Sequence, residues 1–353
     1  MATLGSQASP LRGEVISDRE AVADGRGRDE TKSEAKGAIT LVCLLKIVFP
    51  ERLRPIPMDL PSGIETAYYA DTESCVAVIA GAEVLWINYL ENFEQVIEAG
   101  TDLRWVTTQA AGVEHLPLQL FNARGLVLTN GAGLGAIPIS EYVVMALLAG
   151  LKGLPEMVRA KDRREWLDQP PTLTVLHGKR VLIYGYGSIG RAIGERLNPF
   201  GVVVTGVRLH PGDEPGVIAA ADWEARLPET DILILSVPVT PTTRALVGAL
   251  QLAALPKGAW VANIARGDLI EEPALVDALK SGHLGGAYLD VTQPEPLPPE
   301  SELWSLPNVI LTPHSSWASD DFLNRAAAIF MDNLNRYRRG ESLRNVVDLK
   351  AGY

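Results

Sequence analysis

Cysteine is nearly absent: Cys43 and Cys75 are the two in 353 residues. They provide neither a disulfide framework nor a metal-ligand spacing, and their apolar neighbours mark them as core thiols. No apolar run reaches the roughly 18 residues that suggest a membrane-spanning helix. Basic charge is outweighed by acid, leaving a net charge of −11. A field of that sign repels phosphate, which argues against nucleic acid or an anionic membrane as partner. No segment repeats with a solenoid period. The first 38 residues have no secretory apolar core and too many acids for an organelle transit peptide, so a cytoplasmic location is expected.

Those residues also have few large side chains to bury. The stretch "SDREAVADGRGRDETKSEAKG" is polar and rich in both charges, and it cannot offset its own ordering entropy. Residues 1–38 are therefore expected to form a disordered extension, with a partner-binding tail as the alternative.

Beyond it the chain is apolar enough for a core, at 47% hydrophobic residues. Short runs such as "LVCLLKIVF" (41–49), "AEVLWIN" (82–88), "LRWVTTQ" (103–109) and "GLVLTN" (125–130) alternate with helix-like spacers. A long helical stretch covers 139–166, interrupted near Gly153 and Pro155. More strands follow at 202–207, 231–239, 259–265, 285–291 and 308–314, and an amphipathic helix over 320–340 stops at Gly340. Such alternation specifies parallel sheets covered by helices. The expected architecture is α/β, with two Rossmann-like doubly wound domains and the active site in the cleft between them. Residues 39–140 plus 318–353 would form a substrate domain, and 141–317 a dinucleotide-binding domain.

The sequence "RVLIYGYGSIGRAIGERL" sets Gly185, Gly187 and Gly190 in a G-x-G-x-x-G pattern between a strand and a helix. Gly185 permits the tight turn, Gly187 lets backbone approach a pyrophosphate, and Gly190 lets helix and strand pack closely. The intervening Tyr186, Ser188 and Ile189 belong to the same turn, whose free amides face the phosphates. Arg191, in the first helical turn, would add a charge contact. Eighteen residues past Gly190, where an acidic residue commonly grips the ribose of NAD, stands Arg208. Its planar fork of donors suits a 2′-phosphate, and His210 would add another donor. NADP(H) is the expected cofactor. The alternative is a solvated arginine with NAD(H) bound less specifically.

Three further segments end on polar residues. "NIARGDLI" carries Arg266, "LDVTQPEPLP" carries Asp290 and Glu295, and "VILTPHSSW" carries His314. All follow expected strands, at the edge where open α/β sheets bind ligands. With "AAGVEHL", "NARGLVLTNGAGLGAIPISEYVVMALLAG", "VPVTPTTRALVGA", "LWSLPNVILTPH" and "NVVD", the chain from 41 to 348 resembles the D-isomer-specific 2-hydroxyacid dehydrogenases. That resemblance implies Arg266, Glu295 and His314 as the catalytic set. It puts Asp290 on the nicotinamide side of the cofactor, with Val237, Pro238, Thr243 and Ile264 along it. It also implies that the backbone of Ala111 and Gly112 holds the substrate carboxylate. No metal is needed.

The implied activity is reduction of small 2-keto acids, such as glyoxylate or hydroxypyruvate, to D-2-hydroxy acids, by a homodimer. Two alternatives share the fold: an NAD-dependent dehydrogenase of a bulkier acid, and a dinucleotide-sensing scaffold like the C-terminal-binding-protein co-repressors. Glu295 disfavours formate dehydrogenase activity, because those relatives carry Gln there. No regulatory domain like that of long phosphoglycerate dehydrogenases is expected after "NVVD". Trp317 departs from the small residues usual after the histidine; it either shapes the substrate pocket or packs.

Overall fold

Runs such as "VLWI", "ILIL" and "AWVAN" are buried at every position, as strands covered on both faces must be. The computed structural model describes residues 44–88, 90–169 and 173–352. The expected N-terminal extension and Cys43 lie outside the described residues. Cys75 is buried, and burial pushes its thiol pKa up to about 12, which keeps it inert.

Two parallel-sheet α/β domains are present. The first sheet is built from β1 (Leu45–Pro50), β2 (Ile64–Tyr69), β3 (Val84–Ile87), β4 (Trp105–Thr108) and β5 (Val127–Thr129). Their spatial order is β2-β1-β3-β4-β5, all parallel. The second sheet comprises β6 (Arg180–Tyr184), β7 (Val203–Arg208), β8 (Val217–Ala219), β9 (Ile232–Leu235), β10 (Ala259–Asn263), β11 (Leu284–Leu289) and β12 (Val309–Leu311). Its order, β12-β11-β10-β9-β6-β7-β8, reverses direction between β9 and β6. That reversal is the switch point at which such sheets bind ligands.

The long helical stretch is two helices, α1 (Ala136–Leu151) and α2 (Leu154–Asp162), bent by 70° at Lys152–Gly153. Gly153 takes the left-handed φ of 62° that the corner requires. Helix α1 packs Ile139, Val143, Ala146 and Leu147 with Val181, Ile183, Ile234 and Ala262 of the second sheet. Among the described residues, no single helix is long and apolar enough to cross a membrane.

The chain returns to the first sheet at its end. Helix α4 (Phe322–Arg338), the last helix among the described residues, buries Phe322, Ala326, Phe330 and Leu334 with Ile47, Phe49, Trp86 and Trp105. Phe330 stacks on Trp105 at 5.2 Å and meets Phe49 edge-on at 5.3 Å. Beyond it, Val347 donates its N–H to Leu128, and Asn130 donates to Asn345, so residues near the C-terminus line the edge strand β5. Short edge strands such as β2 and β8 do not stand out in the sequence, because their period-2 pattern is weak over three to six residues.

Candidate active site

The turn after β6 opens helix α3 (Ser188–Leu197) with Gly187 at its N-cap. Gly185 has φ 102°, and a Cβ there would collide with the Ser236 carbonyl of the loop after β9. The two loops at the switch point therefore touch backbone to backbone. A Cβ on Gly187, by contrast, would meet nothing within 4 Å. Gly187 is thus open at the N-terminus of α3, whose first-turn amides have no intrahelical acceptor. That cradle fits a dinucleotide pyrophosphate, with Gly187, Ser188 and Ile189 as its donors. Gly190 is pressed against Gly185, as close helix–strand packing demands.

Tyr186 and Arg191 are turned elsewhere. The Tyr186 N–H is spent on Val207 at 2.9 Å. Its ring lies where a Cβ on Gly206 or Gly194 would stand. Arg191, expected to contact phosphate, instead pairs both terminal nitrogens with the carboxylate of Glu214. Arg208, the last residue of β7, is exposed, and its side chain makes no hydrogen bond or ion pair among the described residues.

On the other side of the switch point, Val237 and Pro238 follow β9. Thr243 closes their loop, its hydroxyl donating to the Pro238 carbonyl at 2.7 Å and accepting from the Thr240 N–H at 2.7 Å. Ile264 is buried just after β10.

Arg266 stands two residues farther on. The turn that bears it is fixed by Asn263, 1% exposed, whose side chain donates to the Arg266 carbonyl at 2.7 Å and accepts from the Ala265 N–H. The guanidinium donates to the Ala265 carbonyl and to the carboxylate of Glu114. Glu114 belongs to the loop after β4 that holds Ala111 and Gly112. A Cβ on Gly112 would displace both members of this pair. Burial raises the Glu114 pKa, but the Arg266 hydrogen bond and charge outweigh it, and the carboxyl ends below its usual range. The expected substrate loop is thus in contact with Arg266, and Asn130 steadies it by donating to the Ala111 carbonyl at 2.7 Å. Neither Glu114 nor Asn263 was singled out from sequence.

Gly267 packs directly on the backbone of Thr292, where a side chain would not fit. The Thr292 N–H donates to one oxygen of Glu295 at 3.1 Å, and the other oxygen lies 2.8 Å from Nδ1 of His314. A continuous chain of contacts therefore joins Gly112, Arg266, Thr292, Glu295 and His314. The carboxylate is an acceptor, so Nδ1 carries the proton toward it and Nε2 is the nitrogen left for a ligand.

His314 adopts φ 50°, a left-handed conformation that a non-glycine residue holds only under constraint. Asp290 supplies that constraint. It is 2% exposed, and its carboxylate accepts from the Thr312 hydroxyl at 2.5 Å, the Ser315 N–H at 3.0 Å, and both the N–H and hydroxyl of Ser316. Its own carbonyl accepts from the His314 N–H at 2.8 Å. The carboxylate of Asp290 is thus committed to the loop that presents the histidine. Trp317 donates from Nε1 to the His314 carbonyl at 2.9 Å, and its ring lies 4.8 Å from that of Phe322. Among the described residues, no group of three or more His, Cys, Asp or Glu side chains is placed to hold a metal.

Residues 144–316 match the family model described as D-isomer specific 2-hydroxyacid dehydrogenase, NAD binding domain. The chain is 33% identical over 255 residues to a glyoxylate reductase/hydroxypyruvate reductase of Mus musculus, covering 69% of this chain and 77% of that one. A D-3-phosphoglycerate dehydrogenase of Methanocaldococcus jannaschii is 30% identical over 291 residues. That alignment takes in 81% of this chain but spans only 55% of the relative's length. Among solved structures, an NADPH-dependent glyoxylate/hydroxypyruvate reductase from Sinorhizobium meliloti, in complex with NADP and sulfate, superposes with a TM-score of 0.75. Its identity is 27%, over 88% of this chain and 100% of that one.

The Asp290 anchor has a measurable signature. Asp290→Asn replaces one acceptor oxygen by a donor facing the Ser316 hydroxyl, and each orphaned buried donor costs about 1–3 kcal/mol. Hydrogen exchange at the Ser315 and Ser316 amides should accelerate by tenfold or more, roughly 1.4 kcal/mol. Unchanged protection would show that the loop is anchored by something else.

Proposed function

Because the chain belongs to the D-isomer-specific 2-hydroxyacid dehydrogenase family, we propose that it reduces small 2-keto acids, glyoxylate and hydroxypyruvate foremost, to D-2-hydroxy acids with a preference for NADPH. It is an oxidoreductase acting on CH–OH groups. The observation that carries the reading is the His314–Glu295 pair at 2.8 Å, joined by contacts to Arg266. The bound nicotinamide would supply hydride; the rest falls to the chain's own residues.

The amides of Ala111 and Gly112 receive the substrate carboxylate. Arg266 exchanges Glu114 for that carboxylate and polarises the adjacent ketone, each charge-assisted bond contributing about 1.5–3 kcal/mol. His314 gives the proton on Nε2 to the developing alkoxide, and takes it back in the oxidative direction. Glu295 accepts the hydrogen bond from Nδ1 and so holds the ring in register with Nε2 facing the substrate. Val237, Pro238, Thr243 and Ile264 would line the nicotinamide. Arg208, exposed at the end of β7 and with no ion pair among the described residues, supports the 2′-phosphate reading. A homodimer is part of the same proposal. Helices α1 and α2 expose Ile137, Met145, Leu154, Met157 and Val158, which a two-fold contact would cover.

His314→Ala should lower kcat by about 100-fold or more while cofactor affinity stays intact; normal turnover would reject the proton-donor role. With glyoxylate or hydroxypyruvate, kcat/KM should favour NADPH over NADH by about tenfold, equivalent to ~1.4 kcal/mol. Arg208→Asp should erase or reverse that ratio, and an unchanged ratio would sink the phosphate clamp. Sedimentation at micromolar concentration should give a dimer, and a persistent monomer would dismiss the two-fold contact.

A further inference from the structure

Glu214 is unaccounted for by the chemistry above, yet it sits at the corner of the cofactor site. After β7 the chain turns back through Gly212 and Gly216, both at positive φ, and Gly206 donates to the Gly216 carbonyl at 2.9 Å. That return lets β8 pair with β7 and carries Glu214 to the first turn of α3. There its two carboxylate oxygens take the two terminal nitrogens of Arg191. The Arg191 guanidinium also lies 5.3 Å from the ring centre of Tyr186. The Arg191 hydrogen bond, and further the charges of Arg191 and Arg208, hold the Glu214 carboxyl below its usual range. One corner of the site therefore holds two guanidinium groups and one carboxylate, about a third exposed at the Arg191–Glu214 pair.

We propose that Glu214 sets how strongly this site discriminates between NADPH and NADH, by occupying Arg191 as an internal counter-anion where a 2′-phosphate would otherwise draw it. The inference rests on the reading of Arg208 as the phosphate clamp. A 2′-phosphate is close to a dianion and is held best by two guanidinium forks. Glu214 ties up one fork and repels the phosphate. A ribose diol suffers neither penalty, since a carboxylate accepts hydrogen bonds from hydroxyls. The pair is exposed enough to exchange, because ion pairs at this depth are weak. Glu214 thus lowers affinity for NADPH while sparing NADH, and the chain keeps access to both cofactors.

The test is nucleotide binding, measured by calorimetric titration with NADPH, NADH and 2′,5′-ADP. Glu214→Gln preserves the size of the side chain and removes its charge. The dissociation constants for NADPH and 2′,5′-ADP should fall about fivefold or more, with that for NADH moving less than twofold or rising. The gain should shrink when Arg191 is also replaced by Ala, because the freed guanidinium is its source. If Glu214→Gln leaves all three constants unchanged while Arg208→Asp weakens NADPH, Glu214 has no such role and the clamp stands. If Arg208→Asp leaves NADPH binding unchanged, the clamp itself fails and this inference fails with it.

Discussion

Parallel strands end on one edge of their sheet, so the loops that follow them must share that edge without keeping one another apart. In this protein the crowding is relieved by missing side chains. Gly185 lets the β6 turn touch the β9 loop, Gly267 lets the Arg266 turn touch Thr292, and Gly112 leaves room for Arg266 and Glu114 to meet. Each contact is backbone against backbone or backbone against a functional group. Through them, loops that begin on separate strands become one surface. The polar residues of that surface hold their positions because the loops beneath them cannot separate.

Charge is then distributed by short-range pairing. Two arginines of that surface are already satisfied, Arg266 by Glu114 and Arg191 by Glu214. Both acceptors are carboxylates, the same class of group that an acid substrate or a phosphate would offer in its place. A site built this way keeps both guanidinium charges compensated before any ligand arrives. It exchanges one anion for another. Asp290 is different in kind: buried, multiply hydrogen-bonded and facing inward, it holds a loop and has nothing to exchange.

The strands of both sheets were legible where apolar runs were long, as at 45–50 in the first and 232–235 and 259–263 in the second. The glycine turn and the order Arg266, Glu295, His314 were legible because each feature is local and sits directly after a strand. The pairings were not. Glu114 and Arg266 lie 152 residues apart, and nothing local in "AAGVEHL" says that the glutamate reaches across to another sheet. Arg191 read as a phosphate ligand because its position in the helix is right. Its actual partner depends on a two-glycine turn that no periodicity announces. Asp290 was visible as a polar residue after a strand, but only the three-dimensional arrangement shows that it braces the strained backbone at His314.

The closing helix has a consequence for how the chain is made. Phe49, Trp86 and Trp105 are made early, yet the aromatic ring that covers them, Phe330, is added only after the whole second sheet. Between the two lies the whole seven-stranded sheet, whose own partners run from 136 to 311. A ribosome-bound chain can therefore complete the second domain while the first still exposes an aromatic face. Until the helix bearing Phe330 is added, the half made first is the half that needs protection from its neighbours.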